Sequence, residues 1–136
     1  MKVKSIAFVA MTAIAIVSVF INVFTAVERD AKASIKNVDS LLIQLSDTKY
    51  ELSIAKQKIH IIACESSGYH HGVWGDSGKS YGIAQFQLGT FKDLRTEAGK
   101  PELKWMNKAD QLWLLDWALR HGYGKRWTCF DERLMK

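Results

Sequence analysis

The feature that most constrains this chain is a stretch of 22 residues, Ile6 to Val27, that contains no charged residue. A helix rises about 1.5 Å per residue, so this stretch is long enough to cross a hydrocarbon core of roughly 30 Å. Lys2 and Lys4 precede it, and the positive-inside tendency then places the N-terminus in the cytoplasm and the remainder outside. The sequence therefore predicts a cytoplasmic N-terminus over residues 1–5 and a transmembrane signal-anchor over residues 6–27.

A cleaved signal peptide is the alternative, since Ala31-Lys32-Ala33 has the small-x-small form that signal peptidase reads. The apolar run is longer than the roughly 7 to 15 residues of an ordinary signal peptide, and three charged residues separate it from that site. We therefore expect a single-pass protein of the cell membrane, with secretion after cleavage as the alternative. The small basic excess of the exported part suits anionic polymers or lipid headgroups, but it is too diffuse to indicate nucleic-acid binding.

Apolar residues recur with heptad spacing after the anchor. One series contains Ile35 and Leu42 and is interrupted by Lys49 and Lys56, and the other contains Val38, Leu45, Leu52 and Ile59. No Gly or Pro occurs between Ala31 and Glu65, so a long helix is permitted throughout. Two interpretations remain open: a stalk over residues 28–57 that could form a homodimer, or an amphipathic helix that packs on its own domain.

Glycines mark a change of architecture after Glu65, where five follow closely on one another: Gly68, Gly72, Gly75, Gly78 and Gly82. We expect residues 58–136 to form one small domain. Periodicity predicts helices over Ile83 to Leu94 and Lys108 to His121, and at most a short hairpin near Val73 to Tyr81. The predicted fold class is α+β and mostly α.

Glu65 is the first candidate for chemistry. It follows an apolar helical run and precedes Ser66-Ser67-Gly68, which is a plausible helix end. The helix dipole and the apolar neighbours both disfavour the charged form of a carboxyl group at this position. A general acid that protonates a glycosidic oxygen near neutral pH needs such surroundings. The other interpretation is a solvated glutamate at a helix end.

The segment Gly75 to Phe86 is the second candidate. It does not have the spacing of a phosphate-binding loop, and it is better interpreted as a turn-rich loop that presents Tyr81 and Gln85 to a sugar-binding groove. Asp76 is its only acidic residue. This aspartate is either ordinary turn chemistry or the second carboxylate of a hydrolase.

Cys64 and Cys129 are the only cysteines and lie beyond the anchor, so a disulfide is the simplest expectation in an oxidising compartment. The four histidines do not have a metal-ligand spacing, and no cysteine pair supports zinc. We therefore expect no metal and no cofactor.

Four motifs occur in order between Ile59 and Phe130. They are Cys64-Glu65-Ser66-Ser67-Gly68, then Gly82-Ile83-Ala84-Gln85-Phe86 with Thr90-Phe91, then Gln111 through Ala118, and finally Gly122-Tyr123-Gly124-Lys125-Arg126-Trp127-Thr128-Cys129. Their order and spacing resemble the transglycosylase-like domain of resuscitation-promoting factors, which is related to soluble lytic transglycosylases and goose-type lysozymes. The resemblance implies a lysozyme-like domain that cleaves peptidoglycan between N-acetylmuramic acid and N-acetylglucosamine.

The resemblance also implies roles by position. Glu65 would be the general acid and base, and Gln85, Thr90 and Trp127 would lie in the glycan groove. The chain departs from the family in having His121-Gly122 where Gln-Gly is usual, and Tyr123 matches a tyrosine of the soluble enzymes only loosely. The alternatives are a lysozyme-type hydrolase that uses Asp76 as its second carboxylate and a non-catalytic protein that binds the cell wall.

Overall fold

The computed structural model describes the backbone of residues 3–135 and the side chains of residues 18–135. Its helices are α1 (Val3–Ser66), α2 (Leu88–Glu97) and α3 (Lys108–Arg120), and its strands are β1 (Trp74–Gly75), β2 (Ser80–Tyr81) and β3 (Phe86–Gln87). Short 3₁₀ helices cover Asp76–Gly78, Tyr123–Arg126 and Glu132–Met135. The expected α+β, mostly α class is confirmed.

The chain divides between Ser46 and Asp47 into two units. The first unit is helical, and its heptad residues Ile35, Val38, Leu42 and Leu45 are each more than half exposed. Side chains 6–17 of the predicted anchor lie outside the described residues. Within the described part of the chain, no helix is both long and apolar enough to cross a membrane.

In the second unit, α1 packs on the core through one face only. Ile54, Gln57 and Ile61 are fully buried on this face, whereas the heptad residues Leu52 and Ile59 are 52% and 68% exposed. Each residue of a helix turns by about 100°, so positions two apart, such as 52 and 54, point to nearly opposite sides. The apolar heptad positions of this unit are therefore not the surface that contacts the domain.

The core is formed mainly by α2, α3 and the start of β3. Fully buried side chains include Phe86, Phe91, Leu94, Leu114 and Leu115. The rings of Phe86 and Phe91 meet edge to face at 5.3 Å, a favourable arrangement for aromatic pairs. Apolar residues spaced three and four apart on α2 and α3 thus face each other, as the sequence periodicity predicts.

The three strands form one antiparallel sheet in the order β1-β2-β3. Trp74 pairs with Tyr81, and Tyr81 pairs with Phe86 on its other side. The predicted hairpin near Val73 to Tyr81 is confirmed, and a third strand extends it. This sheet leads directly into α2.

The helix predicted from Ile83 is wrong at its start, because α2 begins only at Leu88. Long-range side chains bind the backbone of the preceding residues: Ile83 N–H donates to His70 Nδ1 (3.1 Å), and Ala84 N–H donates to Gln111 Oε1 (3.2 Å). Gln85 has a φ of 48°, in the left-handed region. These tertiary hydrogen bonds replace the helical ones that a local pattern suggests.

Four charged side chains join α1 to α3. Lys58 and Arg120 both bind Asp116, at 3.0 and 2.7 Å, and Arg120 also forms a bidentate pair with Glu51. Burial alone would raise the pKa of Asp116, but the hydrogen bonds from Arg120 and Lys58 hold it below its ordinary value. The network fixes the approach of the two helices at their polar edge.

Candidate active site

Glu65 lies in the last turn of α1, at the point where the helix ends. Ser67 and Gly68 follow with φ of 52° and 83°, and such left-handed residues stop an α-helix. Ser66 Oγ donates to the carbonyl of Ile83 at 2.7 Å, which fixes the helix end against the turn before β3. The half-buried Glu65 is thus held beside the loop that the sequence singled out.

Glu65 opens onto a cleft of about 310 Å³ whose lining is mostly polar. Its volume is at the lower end of the roughly 300 to 1,000 Å³ range of ligand pockets. The lining residues are Glu65, Asp76, Gln85, Phe86, Gln87, Thr90, Arg126, Trp127 and Thr128. Five of the seven residues named as catalytic or substrate-binding from the sequence therefore meet in one cleft: Glu65, Asp76, Gln85, Thr90 and Trp127.

A disulfide joins Cys64 to Cys129, with their Cα atoms 6.1 Å apart, as the sequence predicts. The bond ties the helix that carries Glu65 to the segment that carries Trp127. Beside it, the backbone N–H of Cys129 donates to Glu65 Oε1 at a long 3.4 Å. This is the one hydrogen bond of the Glu65 carboxyl group among the described residues, so much of that group stays available to a ligand.

Gln85 lines the cleft, but its side-chain amide is used within its own loop. The amide nitrogen donates to the carbonyls of Gly82 (2.8 Å) and Val73 (3.3 Å), and its oxygen accepts from Ser80 Oγ (2.9 Å). A Cβ atom on Gly75 would collide with the Gln85 amide, so a larger residue there would displace this amide. Gln85 therefore holds the sheet and the loop together, and one lone pair of its oxygen remains for a ligand.

Asp76 lies in a tight turn at the rim of the cleft. It has a φ of 49°, and the next residue, Ser77, has a φ of 57°. Non-glycine residues in this region cost of the order of 1 kcal/mol each, and such strain clusters at functional sites. Gln87 Nε2 donates to Asp76 Oδ2 at 3.2 Å, which orients the carboxylate.

Trp127 forms a wall of the cleft and is itself nearly buried. Its indole N–H donates to the Ala84 carbonyl at 2.7 Å, and its ring meets Phe86 edge to face at 5.1 Å. Thr90 reaches the same cleft from the first turn of α2. Both residues are thus held by regular structure around the loop.

Tyr81 and Tyr123 do not line the cleft. Tyr81 is 6% exposed and packs against Trp74, Trp105 and His70. Tyr123 lies in the 3₁₀ turn after α3 and stacks on Trp117, with ring centroids 5.7 Å apart. The phenol of Tyr123 is hydrogen-bonded to Glu97, which raises the pKa of Tyr123. Neither tyrosine forms a wall of this cleft, and the contact of each with a ligand stays a prediction.

Buried polar groups support the loop from behind. Gln111 is fully buried and donates to the carbonyls of Tyr81 (2.9 Å) and Trp105 (2.7 Å) while it accepts from Ala84. A Cβ on Gly82 would lie 2.7 Å from the Gln111 amide, so only glycine lets this amide approach. This scaffold is not apparent from motif spacing, because its partners are backbone groups distant in sequence.

Sequence reasoning also missed three polar residues of the cleft: Gln87, Arg126 and Thr128. Arg126 and Thr128 flank Trp127, so their position beside a predicted groove residue was a usable signal. Among the described residues, no group of three or more His, Cys, Asp and Glu side chains is arranged to hold a metal ion.

Comparisons with known proteins do not identify the chain: no family model matches it, and no curated protein or solved structure matches it significantly.

Proposed function

We propose that this protein is a peptidoglycan-cleaving enzyme of the lytic transglycosylase type, with Glu65 as its catalytic acid and base. The observation that carries the proposal is the meeting of Glu65 with Gln85, Thr90 and Trp127 in one polar cleft. These are the residues to which the family resemblance gives roles, and they come from α1, the sheet loop, α2 and the last segment. In this proposal residues 58–136, which lie within the second unit, form a lysozyme-like domain.

A single carboxylic acid is sufficient for the proposed reaction. Glu65 donates its proton to the glycosidic oxygen as the bond from N-acetylmuramic acid to N-acetylglucosamine breaks. The resulting carboxylate then accepts a proton from the 6-hydroxyl group of the same muramic acid, whose oxygen bonds to the anomeric carbon. The products are a free N-acetylglucosamine end and a 1,6-anhydro end, and Glu65 regains its proton.

The surroundings of Glu65 support this role. It is half-buried at the negative end of α1 and beside a disulfide, and the described residues place no cation in an ion pair with it. The walls of the cleft offer an indole ring, a hydroxyl group and an amide oxygen, which suit the apolar faces and hydroxyl groups of a sugar.

The proposal is tested by incubating the full chain in detergent with purified sacculi and identifying the released muropeptides by mass spectrometry. Glu65→Gln keeps the size and hydrogen bonding of the side chain but removes the proton donor, so turnover should fall by about 10² to 10⁴. Glu102→Gln is the matched control, because Glu102 is an exposed glutamate outside the cleft. Wild-type turnover by Glu65→Gln would contradict the assignment.

A hydrolase of the lysozyme type is the second candidate, because Asp76 lines the same cleft as Glu65 and is oriented by Gln87. A second carboxylate would assist the attack of water, and the products would then carry a reducing end instead of the anhydro end. Asp76→Asn should cost little in the single-acid mechanism and as much as Glu65→Gln in the two-acid one. If neither the wild type nor any variant cleaves sacculi but all bind them, the protein is a wall-binding protein.

We also propose that residues 6–27 anchor the protein in the cell membrane, with the cleft outside the cytoplasm. The uncharged run behind two lysines supports this topology. Protease added to spheroplasts should remove the C-terminal part, whereas a mature protein that begins at Ser34 would indicate secretion.

The stalk is proposed to form a parallel homodimer. Its support is the exposure of Leu42 and Leu45 in the first unit, and of Leu52 and Ile59 away from the packing face in the second. Chemical cross-linking in membranes should give a dimer that a Leu45→Lys change weakens.

A further inference from the structure

Arg126 is the one basic side chain that lines the cleft. It ends the 3₁₀ turn Tyr123–Arg126, immediately before Trp127. Its neighbour Lys125 does not line the cleft and is paired with Glu132 at 2.6 Å. Two adjacent cations of one turn thus have different surroundings.

Arg126 forms no ion pair within the described part of the chain, although Glu65 and Asp76 line the same cleft. Other arginines of the second unit are occupied: Arg95 donates to the Leu103 carbonyl, Arg120 binds two carboxylates, and Arg133 binds Asp131. The guanidinium group of Arg126 can therefore offer its N–H donors to a ligand.

The position of Arg126 is fixed from one side by an aromatic stack. Its guanidinium carbon lies 5.2 Å from the centre of the Tyr123 ring, a distance that suits a cation–π contact. Tyr123 in turn stacks on Trp117 and binds Glu97. A guanidinium group held in this way loses less conformational freedom when it binds a planar anion.

We propose that Arg126 binds a carboxylate carried on the lactyl arm of N-acetylmuramic acid, an inference that rests on the proposed peptidoglycan substrate. The lactyl arm is the part of the repeating disaccharide that can carry negative charge, since the other ring substituents are hydroxyl and acetamido groups. The carboxylate of Asp76 also lines the cleft, and it repels an anion unless a cation compensates it. Arg126 matches a carboxylate through two parallel N–H···O bonds.

This carboxylate has two sources. In glycan without stem peptides the lactyl carboxyl group is free and is attached directly to the sugar arm. In intact peptidoglycan that group is amide-linked, and the nearest carboxylates belong to the stem peptide. Because Arg126 lines the same small cleft as Glu65, the free lactyl carboxylate is the source expected to bind more tightly.

The test measures binding by calorimetry with the full chain in detergent, in the Glu65→Gln background so that the probes are not cleaved. The probes are chitotetraose, the N-acetylglucosamine–N-acetylmuramic acid tetrasaccharide with free lactyl groups, and the same tetrasaccharide with stem peptides. We expect the free lactyl form to bind about tenfold more tightly than chitotetraose at low salt, and less so at high salt. Adding Arg126→Gln should remove this preference without weakening chitotetraose, and Lys125→Gln is the matched control that should retain it.

Each other result is decisive. A preference that survives Arg126→Gln, or an equal loss for all three probes, overturns the proposal. An Arg126-dependent preference for the stem-peptide form keeps the carboxylate contact and assigns it to the peptide. Tyr123→Leu should reduce the preference and Tyr123→Phe should keep it, because only the second retains the ring beneath the guanidinium group. Cleavage of sacculi by the wild type is measured separately, so failure of the proposed activity and failure of the Arg126 contact are distinguishable.

Discussion

Replacing Gln111 by Leu tests whether buried hydrogen bonds hold the site loop in place. The two side chains have similar volumes, so the change leaves little cavity and mainly removes polar atoms. Three backbone groups then lose their partner at a fully buried position: the N–H of Ala84 and the carbonyls of Tyr81 and Trp105.

The expected magnitude follows from these three groups. A buried donor or acceptor left without a partner costs about 1 to 3 kcal/mol. Two of the three hydrogen bonds are buried and the one to Trp105 is partly buried, so the free energy of unfolding should fall by about 3 kcal/mol. This is a large part of the roughly 5 to 15 kcal/mol that stabilises a typical domain. Gln87→Leu is the matched control, since Gln87 is exposed and makes a single hydrogen bond, to Asp76. Its cost should stay within about 0.5 kcal/mol.

Urea unfolding followed by tryptophan fluorescence gives the answer, because all five tryptophans lie between positions 74 and 127 and report on the second unit. At an m-value of about 1 to 3 kcal/mol/M, the midpoint for Gln111→Leu should fall by roughly 1 to 3 M. A loss below about 1 kcal/mol at an unchanged m-value would show that Gln111 does not satisfy these groups.

Two further predictions concern the disulfide and the charged network between α1 and α3. Replacing Cys64 and Cys129 by Ser should lower the free energy of unfolding by about 4 kcal/mol, because the bond closes a loop with a sequence separation of 65; a loss under about 1 kcal/mol in the same urea assay would contradict this. The stability contributed by ionised Asp116 is present above the ordinary carboxyl pKa of 3.8 and is lost as the pH falls through its lower folded-state pKa. Asp116→Asn should therefore lower the free energy of unfolding by about 1 kcal/mol or less near neutral pH. It should also weaken the loss of stability that acid causes. An identical loss of stability with falling pH in both proteins would refute the role of the network.

The parts of the fold that were predictable from the sequence depend on local pattern. The bounds of α3 follow from apolar periodicity, and its start is marked by Asn107, whose side chain accepts from the Asp110 N–H. The disulfide follows from the presence of only two cysteines. Four cleft residues follow from motif order, because three of the four motifs contribute to the lining: Glu65, Gln85, Thr90 and Trp127.

The remaining features depend on contacts that no local window contains. Ile83 and Ala84 have helical periodicity, but His70 and Gln111 bind their backbone N–H groups and keep them out of a helix. Tyr81 was expected at the groove because it lies in the loop. Strand pairing instead directs its ring against Trp74 and Trp105. The resemblance gives no role to Arg126, whose signal in the sequence is its place beside Trp127, and the assembled cleft shows that it lines the same space as Glu65.

The disulfide between Cys64 and Cys129 bears on when the cleft is completed during synthesis and folding. Glu65 and Trp127 lie on different walls of the cleft and are far apart in sequence. A chain that is still being synthesised therefore contains Glu65 before it contains the wall that carries Trp127. Contacts of this long range form slowly and leave apolar surface unprotected meanwhile, here the face of α1 that carries Ile54 and Ile61. Oxidation then locks the two walls together. The cleft therefore has both of its walls only in a chain that is synthesised past Thr128, and the disulfide keeps these walls joined.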